Sequence, residues 1–131
     1  MQYERLFAGP DGESHFEDVQ IELSPVAQYA RVVPLLYLSA PHSSTALTFV
    51  SGPPGWIGDW HPAPRRQFMV KLRGTTELIA SDGERRELGP GDVLLIDDTL
   101  GRGHYSRILG PDDDQWFVAA LATTNEPSES G

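Results

Sequence analysis

The sequence predicts an all-β fold in one domain, an antiparallel sandwich or barrel built from its 131 residues. Three observations carry that prediction. The chain holds 13 Gly and 11 Pro, which helix interiors tolerate poorly, so a helical bundle is not expected. Short apolar or alternating runs recur at regular spacing, each closed by a Gly, Pro or Asp turn. Between two of these runs stands Asp82-Gly83, a strong two-residue hairpin signal.

The elements follow in order. Phe16, Val19, Ile21 and Leu23 alternate and predict a strand over 15–23. Pro25, Pro34 and Pro41 keep 24–43 extended or irregular, with room for one helical turn within 26–38. Residues 1–43 are therefore read as an N-terminal strand and a Pro-rich segment that pack on a barrel formed by 44–122. That barrel starts with a strand at 45–50, closed by Gly52-Pro53-Pro54-Gly55. A strand at 66–73 stops at Gly74, and strands at 75–81 and 84–88 flank the hairpin turn. Gly89-Pro90-Gly91-Asp92 turns the chain into 93–96. A strand at 104–109 ends at Gly110-Pro111 and three aspartates, and 115–121 is the last. Residues 123–131 are polar and acidic and read as a disordered tail.

Charge and composition narrow the function. The net charge of −9 divides unevenly: 1–58 holds six acids and two bases, 59–107 eight of each, and 108–131 five acids and no base. An acidic chain without a basic stripe repels phosphate backbones, so nucleic acid is not an expected partner. No Cys is present, which excludes disulfides, thiolate metal sites and a cysteine nucleophile. No apolar run approaches a membrane span and no signal peptide opens the chain, so a cytoplasmic protein without a membrane role is expected.

Two strands do not alternate cleanly between an apolar and a polar face. In 66–73, Phe68, Val70 and Leu72 alternate with Gln67, Met69 and Lys71, and 93–96 is apolar throughout. A half-exposed sheet alternates cleanly, so something covers the outer face. The candidates are the Pro-rich segment and a second subunit, and a homodimer is expected.

The polar residues that stand out are His61, Gln67 and His104. Gly55 is followed after five residues by His61, Pro62 and Ala63, then after three residues by Gln67, and after six more by Gly74. Gly91, Asp97, Gly101, His104 and Ile108 form a second spaced set. Both sets resemble the two signature motifs of the cupin superfamily, over about residues 44–121. The first family motif is glycine, His-x-His, glutamate, glycine; Ala63 stands in place of the second histidine and Gln67 in place of the glutamate. In the second, Asp97 replaces a proline, the turn is two residues longer, and Ile108 replaces an asparagine. The resemblance implies a single jelly-roll-like antiparallel β-barrel. It also implies that His61, Gln67 and His104 face its interior.

Three readings of these residues follow. In the first, which is favoured, the barrel binds a small molecule and transfers protons without a metal, as an isomerase, cyclase or dehydratase does. His61 and His104 serve as acid and base, Asp98 orients His104, and no cofactor is required. Metal-free cupin epimerases and cyclases are similar. In the second, His61, Gln67 and His104 form an incomplete site for a divalent ion (iron, manganese, zinc or nickel) in an oxygenase or lyase, which is what the resemblance implies for metal-binding relatives. In the third, the pocket binds a ligand or acts as a sensor without chemistry. Phe49, Gln67, Met69, Ile108 and Trp116 (or its neighbour Phe117) are the expected pocket lining. Arg66 is the first candidate for a substrate carboxylate. His15 and His42 are expected in surface loops, and Trp56 and Trp60 at the barrel mouth or a dimer contact. Asp112, Asp113 and Asp114 lack the spacing of a calcium loop.

Overall fold

The structure, a computed structural model, describes residues 1–122; the expected acidic tail lies outside them. Twelve strands and no helix make up the described chain, so no helix is long and apolar enough to cross a membrane. They are β1 (Gln2–Ala8), β2 (Ser14–Gln20), β3 (Ser24–Val26), β4 (Leu36–Leu38), β5 (Ser44–Gly52) and β6 (Ile57–His61). The rest are β7 (Gln67–Arg73), β8 (Thr75–Ala80), β9 (Arg85–Leu88), β10 (Val93–Asp97), β11 (His104–Leu109) and β12 (Asp114–Leu121).

Two sheets form a sandwich. One has six strands in the order β2-β1-β10-β7-β12-β5, the other four in the order β6-β11-β8-β9. All pairings are antiparallel except β1 with β10, which run parallel in the register Leu6 to Ile96. The core lies between the sheets: Leu6, Phe16, Leu94, Ile96 and Val118 from the first meet Leu78, Ala80 and Leu88 from the second. The Asp82-Gly83 turn closes as expected, with Gly83 N–H donating to the Ala80 carbonyl at 2.9 Å and Glu84 N–H to Asp82 Oδ1 at 2.9 Å. Between β7 and β8 the chain reverses at Gly74, whose φ of +83° suits glycine and whose missing side chain admits the Asp113 carbonyl.

The N-terminal segment differs from expectation. Residues 2–20 extend the six-stranded sheet at its edge, and Leu6 is fully buried there. The alternation of β1 is masked by Glu4 and Arg5, and its parallel pairing gives no hairpin turn to read. The helical turn expected within 26–38 is absent; β3 and β4 pair only with each other across turns. β6 lies between two Pro-containing turns, and it holds Gly58.

The faces of β7 are also informative. Gln67 and Met69 face the space between the sheets, Lys71 is buried on the same side, and Phe68, Val70 and Leu72 face outward. The more polar half of the strand is thus the inner half. Tyr3 and His42 cover Phe68 from outside, each with its ring centroid 5.0 Å away.

Candidate functional site

A cavity of about 290 Å³ opens between the two sheets. Its walls are largely apolar: Trp56, Met69, Leu78, Leu94, Ile108 and Trp116 among others. Polar groups enter at two places, and each is built from strand pairing.

The first is a pair of histidines. β6 and β11 are antiparallel neighbours that place His61 directly opposite His104. Their ring centroids are 4.8 Å apart and their planes tilt by 52°. Gly103 (φ +80°) makes this approach possible, because a Cβ there would collide with the His61 carbonyl. His104 is 3% exposed, and its Nδ1 lies 2.7 Å from Asp98 Oδ2. Asp98 follows β10 and is fully buried; the same Oδ2 accepts a hydrogen bond from Ser14 Oγ at 2.8 Å. Its Oδ1 is buried and has no hydrogen-bond partner among the described residues. A carboxylate accepts only, so Nδ1 of His104 carries the proton and Nε2 is left with a lone pair for the cavity. His61 sits at the exposed rim, its Nδ1 2.5 Å from the Asp59 carbonyl, which likewise leaves Nε2 available. Ser106 also lines the cavity, as does Gln67, whose amide nitrogen reaches the Met69 thioether at 4.0 Å. That contact is weak and easily exchanged for a ligand.

The second is a buried cluster at β7, β8 and β12. Lys71 is 1% exposed and Asp114 3%; Lys71 Nζ donates to Asp114 Oδ1 and, at 2.6 Å, to Thr76 Oγ1. Thr76 Oγ1 and Trp116 Nε1 both donate to Asp114 Oδ2, at 2.8 and 2.7 Å. The ammonium sits 3.8 Å from the Trp116 ring centroid. Burial pushes Lys71 below its ordinary range, and its hydrogen bond to Asp114 opposes that shift. Asp114, Thr76 and Trp116 reach the cavity wall. Sequence reading assigned Lys71 to a strand face and Asp114 to a turn. The available signal was a lysine on the same face as Gln67 and Met69, opposite an aspartate at a strand start.

Of the expected lining, Gln67, Met69, Ile108 and Trp116 are at the cavity. Phe49 is not, and this corrects the sequence reading. Register pairs Phe49 with Phe117 on the outer face, their rings 5.5 Å apart, and Phe49 is 69% exposed. Alternation therefore sends Trp116 inward and Phe117 outward. Ala63 is buried in the core. Arg66, the candidate for a substrate carboxylate, instead pairs with Asp97 at 3.2 Å, and Arg5 pairs with the same carboxylate at 2.9 Å. Trp56 lines the cavity, whereas Trp60 packs on Tyr105 with ring centroids 5.7 Å apart. His15 lies in β2, not in a loop, and bridges Asp11 and Asp82 at 3.0 and 2.9 Å.

The donor set does not fit a metal centre of the kind the family resemblance implies. His61 and His104 offer one neutral nitrogen each and Gln67 a neutral amide oxygen. Asp98 is spent on the far nitrogen of His104, and Asp114 is held by Lys71. No cluster of three or more His, Cys, Asp or Glu among the described residues is placed to hold an ion. Sites that bind a divalent ion selectively normally supply three or four good ligands, often with a carboxylate.

No protein-family model matches the chain, and no curated protein matches it. Solved structures do. The cupin domain of Cnp3 from Schizosaccharomyces pombe aligns with a TM-score of 0.53 at 13% identity, covering 98% of this chain and 87% of that one. A conserved protein of unknown function from Streptococcus pyogenes aligns with a TM-score of 0.46 at 14% identity, over 66% of this chain and 72% of that one. The chain has the cupin fold, realised as a two-sheet sandwich.

Proposed function

We propose that the protein binds a small, uncharged, largely apolar carbonyl compound and moves a proton on it without a metal, in the manner of an isomerase, cyclase or dehydratase. One observation carries this reading: a buried carboxylate holds the Nδ1 of a buried histidine at 2.7 Å and leaves its Nε2 for an apolar cavity. A second imidazole, His61, stands beside it at the rim.

In the isomerase case His104 Nε2 takes a proton from the carbon next to the carbonyl. The C–H electron pair moves to form a C=C bond, and the carbonyl oxygen takes up the charge. The Gln67 amide and the Ser106 hydroxyl are the donors that would meet that oxygen. The imidazolium keeps its Nδ1–H on Asp98, whose charge stabilises it. Return of a proton to the same carbon, from His104 on the first face or from His61 on the other, re-forms the C–H bond and the C=O and completes exchange or epimerisation. Among the described residues no Lys or Arg side chain lines the cavity, so a carboxylate or phosphate would leave water without a cation to receive it.

The test is proton exchange in D₂O, followed by NMR on a panel of small uncharged aldehydes and ketones. The protein is expected to wash deuterium into the position next to the carbonyl of at least one, and His104→Asn to slow this by about 100-fold or more. If the parent exchanges none of them and His104→Ala still binds them, the pocket is a binder and the proton-transfer reading fails. If protein purified without an affinity tag carries stoichiometric metal that the His61→Ala/His104→Ala variant loses, the metal reading replaces it.

A further inference from the structure

The six-stranded sheet has two unlike edges. β2 ends one side and carries His15, Glu17 and Asp18, charges of the kind that keep an edge from pairing. β5 ends the other. It is nine residues long, reads Ser-Thr-Ala-Leu-Thr-Phe-Val-Ser-Gly, and contains no charge and no Pro. Every residue from Ser44 to Ser51 is exposed, with Leu47 at 58% and Phe49 at 69%. The outer face beside it is apolar too: Phe117, Val70 and the 51% exposed Leu72 continue it across β12 and β7.

The order of residues along β5 says what would pair with it. Centred on Thr48, the strand is a palindrome in polarity. Run antiparallel to itself, it sets Thr48 against Thr48, Leu47 against Phe49, Ala46 against Val50, and Thr45 against Ser51. Each pair is apolar with apolar or hydroxyl with hydroxyl, the combinations that stabilise neighbouring strands. A strand from an unrelated protein has no reason to match this order; a second copy matches it by symmetry. The net charge of −9 opposes self-association least here, because between Leu23 and Gly58 the chain's one charged residue is Arg31.

Leu47 and Phe49 of β5, with the neighbouring Leu72, are 58, 69 and 51% exposed and give this edge its apolar surface.

We propose that the chain is a homodimer in which β5 pairs antiparallel with β5 of a second copy about a two-fold axis at Thr48. The two six-stranded sheets then form one continuous twelve-stranded sheet. Since Val50 and Gly52 of β5 also line the cavity, the dimer holds one wall of each pocket in place.

Sedimentation velocity at micromolar concentration tests the assembly, and a cysteine scan tests the axis. The parent is expected to sediment at twice its 14.4 kDa. Phe49→Glu, at a site exposed in the single chain, is expected to give a folded monomer with an unchanged far-ultraviolet spectrum. The chain has no Cys, so Thr48→Cys introduces the one thiol, and mild oxidation is expected to yield a disulfide-linked dimer. Thr45→Cys, which faces Ser51 across the axis, should stay unlinked. A parent that sediments as a monomer overturns the proposal and leaves the edge to some other strand. A dimer that survives Phe49→Glu, or one in which Thr45→Cys links and Thr48→Cys does not, overturns the interface assigned here.

Discussion

Replacing Asp114 by Asn is expected to destabilise the fold severely, although it changes one atom. The parent balances a Lys71 ammonium that is 1% exposed with a carboxylate that is 3% exposed. Asn keeps an oxygen for one donor and loses the charge. Lys71 then stands buried with Thr76 Oγ1 and the Trp116 face as its remaining partners. Breaking one side of a buried pair costs about 3–5 kcal/mol. At about 2.1 cal/mol/K of unfolding entropy per residue, a chain of this length loses roughly 4 °C of Tm per kcal/mol. The expected drop is therefore roughly 10–20 °C by calorimetry or thermal circular dichroism. The companion variant decides the mechanism. In Lys71→Met/Asp114→Asn the stranded charge is gone, so the double variant should be more stable than Asp114→Asn alone, by about 1–3 kcal/mol of coupling. A drop of only a few degrees in Asp114→Asn would refute the reasoning. So would a double variant less stable than the single.

Other outcomes follow from the same structure. Leu6→Ala, at a fully buried position between β2 and β10, should cost about 2–5 kcal/mol in denaturant unfolding, which a peripheral segment would not. Ser14→Ala removes the 2.8 Å hydrogen bond to buried Asp98 and should cost about 1–3 kcal/mol while leaving the far-ultraviolet spectrum intact. Gly103→Ala forces a side chain into the left-handed region and against the His61 carbonyl, so both Tm and any exchange activity should fall together. His15 gives a pH effect. Its hydrogen bond with Asp11 raises its pKa above 6.5 and lowers that of Asp11 below 3.8, with Asp82 adding to the rise. The folded chain therefore holds the His15 proton more tightly than the unfolded one, and that stability is complete below pH 6.5 and fades as pH rises through the folded value. The Asp11 part is complete above 3.8 and fades on acidification. The Tm difference between the parent and His15→Asn should thus be largest between those two values, and a difference that grows above pH 7 would contradict the pairing.

Much of this fold can be read along the chain where turn chemistry is explicit. Gly74, Asp82-Gly83 and the Gly89–Asp92 turn each announce the strands they join, and the spacing from His61 to Gln67 and on to His104 marks the cavity. What stayed hidden has physical causes. β1 pairs parallel and so has no hairpin signal. β6 is five residues between Pro turns. Phe49 was placed in the pocket because alternation fixes which residues share a face but not which face is inside, and the register with Phe117 decides that. Asp114 is the instructive miss. In sequence it is the last of three aspartates in an acidic turn, and nothing local separates it from Asp112 and Asp113. Only the pairing of β12 with β7 brings it to Lys71.

The inverted alternation of β7 joins the two proposals. In an ordinary half-buried strand Phe68, Val70 and Leu72 would face the core, and Gln67, Met69 and Lys71 the water. Here the polar set faces inward, where Gln67 meets the cavity and Lys71 is neutralised by Asp114. An interior that must present donors to a ligand cannot also be the main store of apolar burial. The apolar set is displaced to the outside, where a monomer leaves Leu72 half exposed beside Phe49 and Leu47. Such a surface is a liability unless covered. Polar groups set into the apolar wall of the cavity and a charge-free edge on the outside of the sandwich are thus two consequences of one pattern. On that argument, inward substitutions such as Gln67→Leu should change ligand binding and leave the dimer intact. Outward substitutions such as Leu72→Lys should weaken the dimer and leave the histidine pair in place.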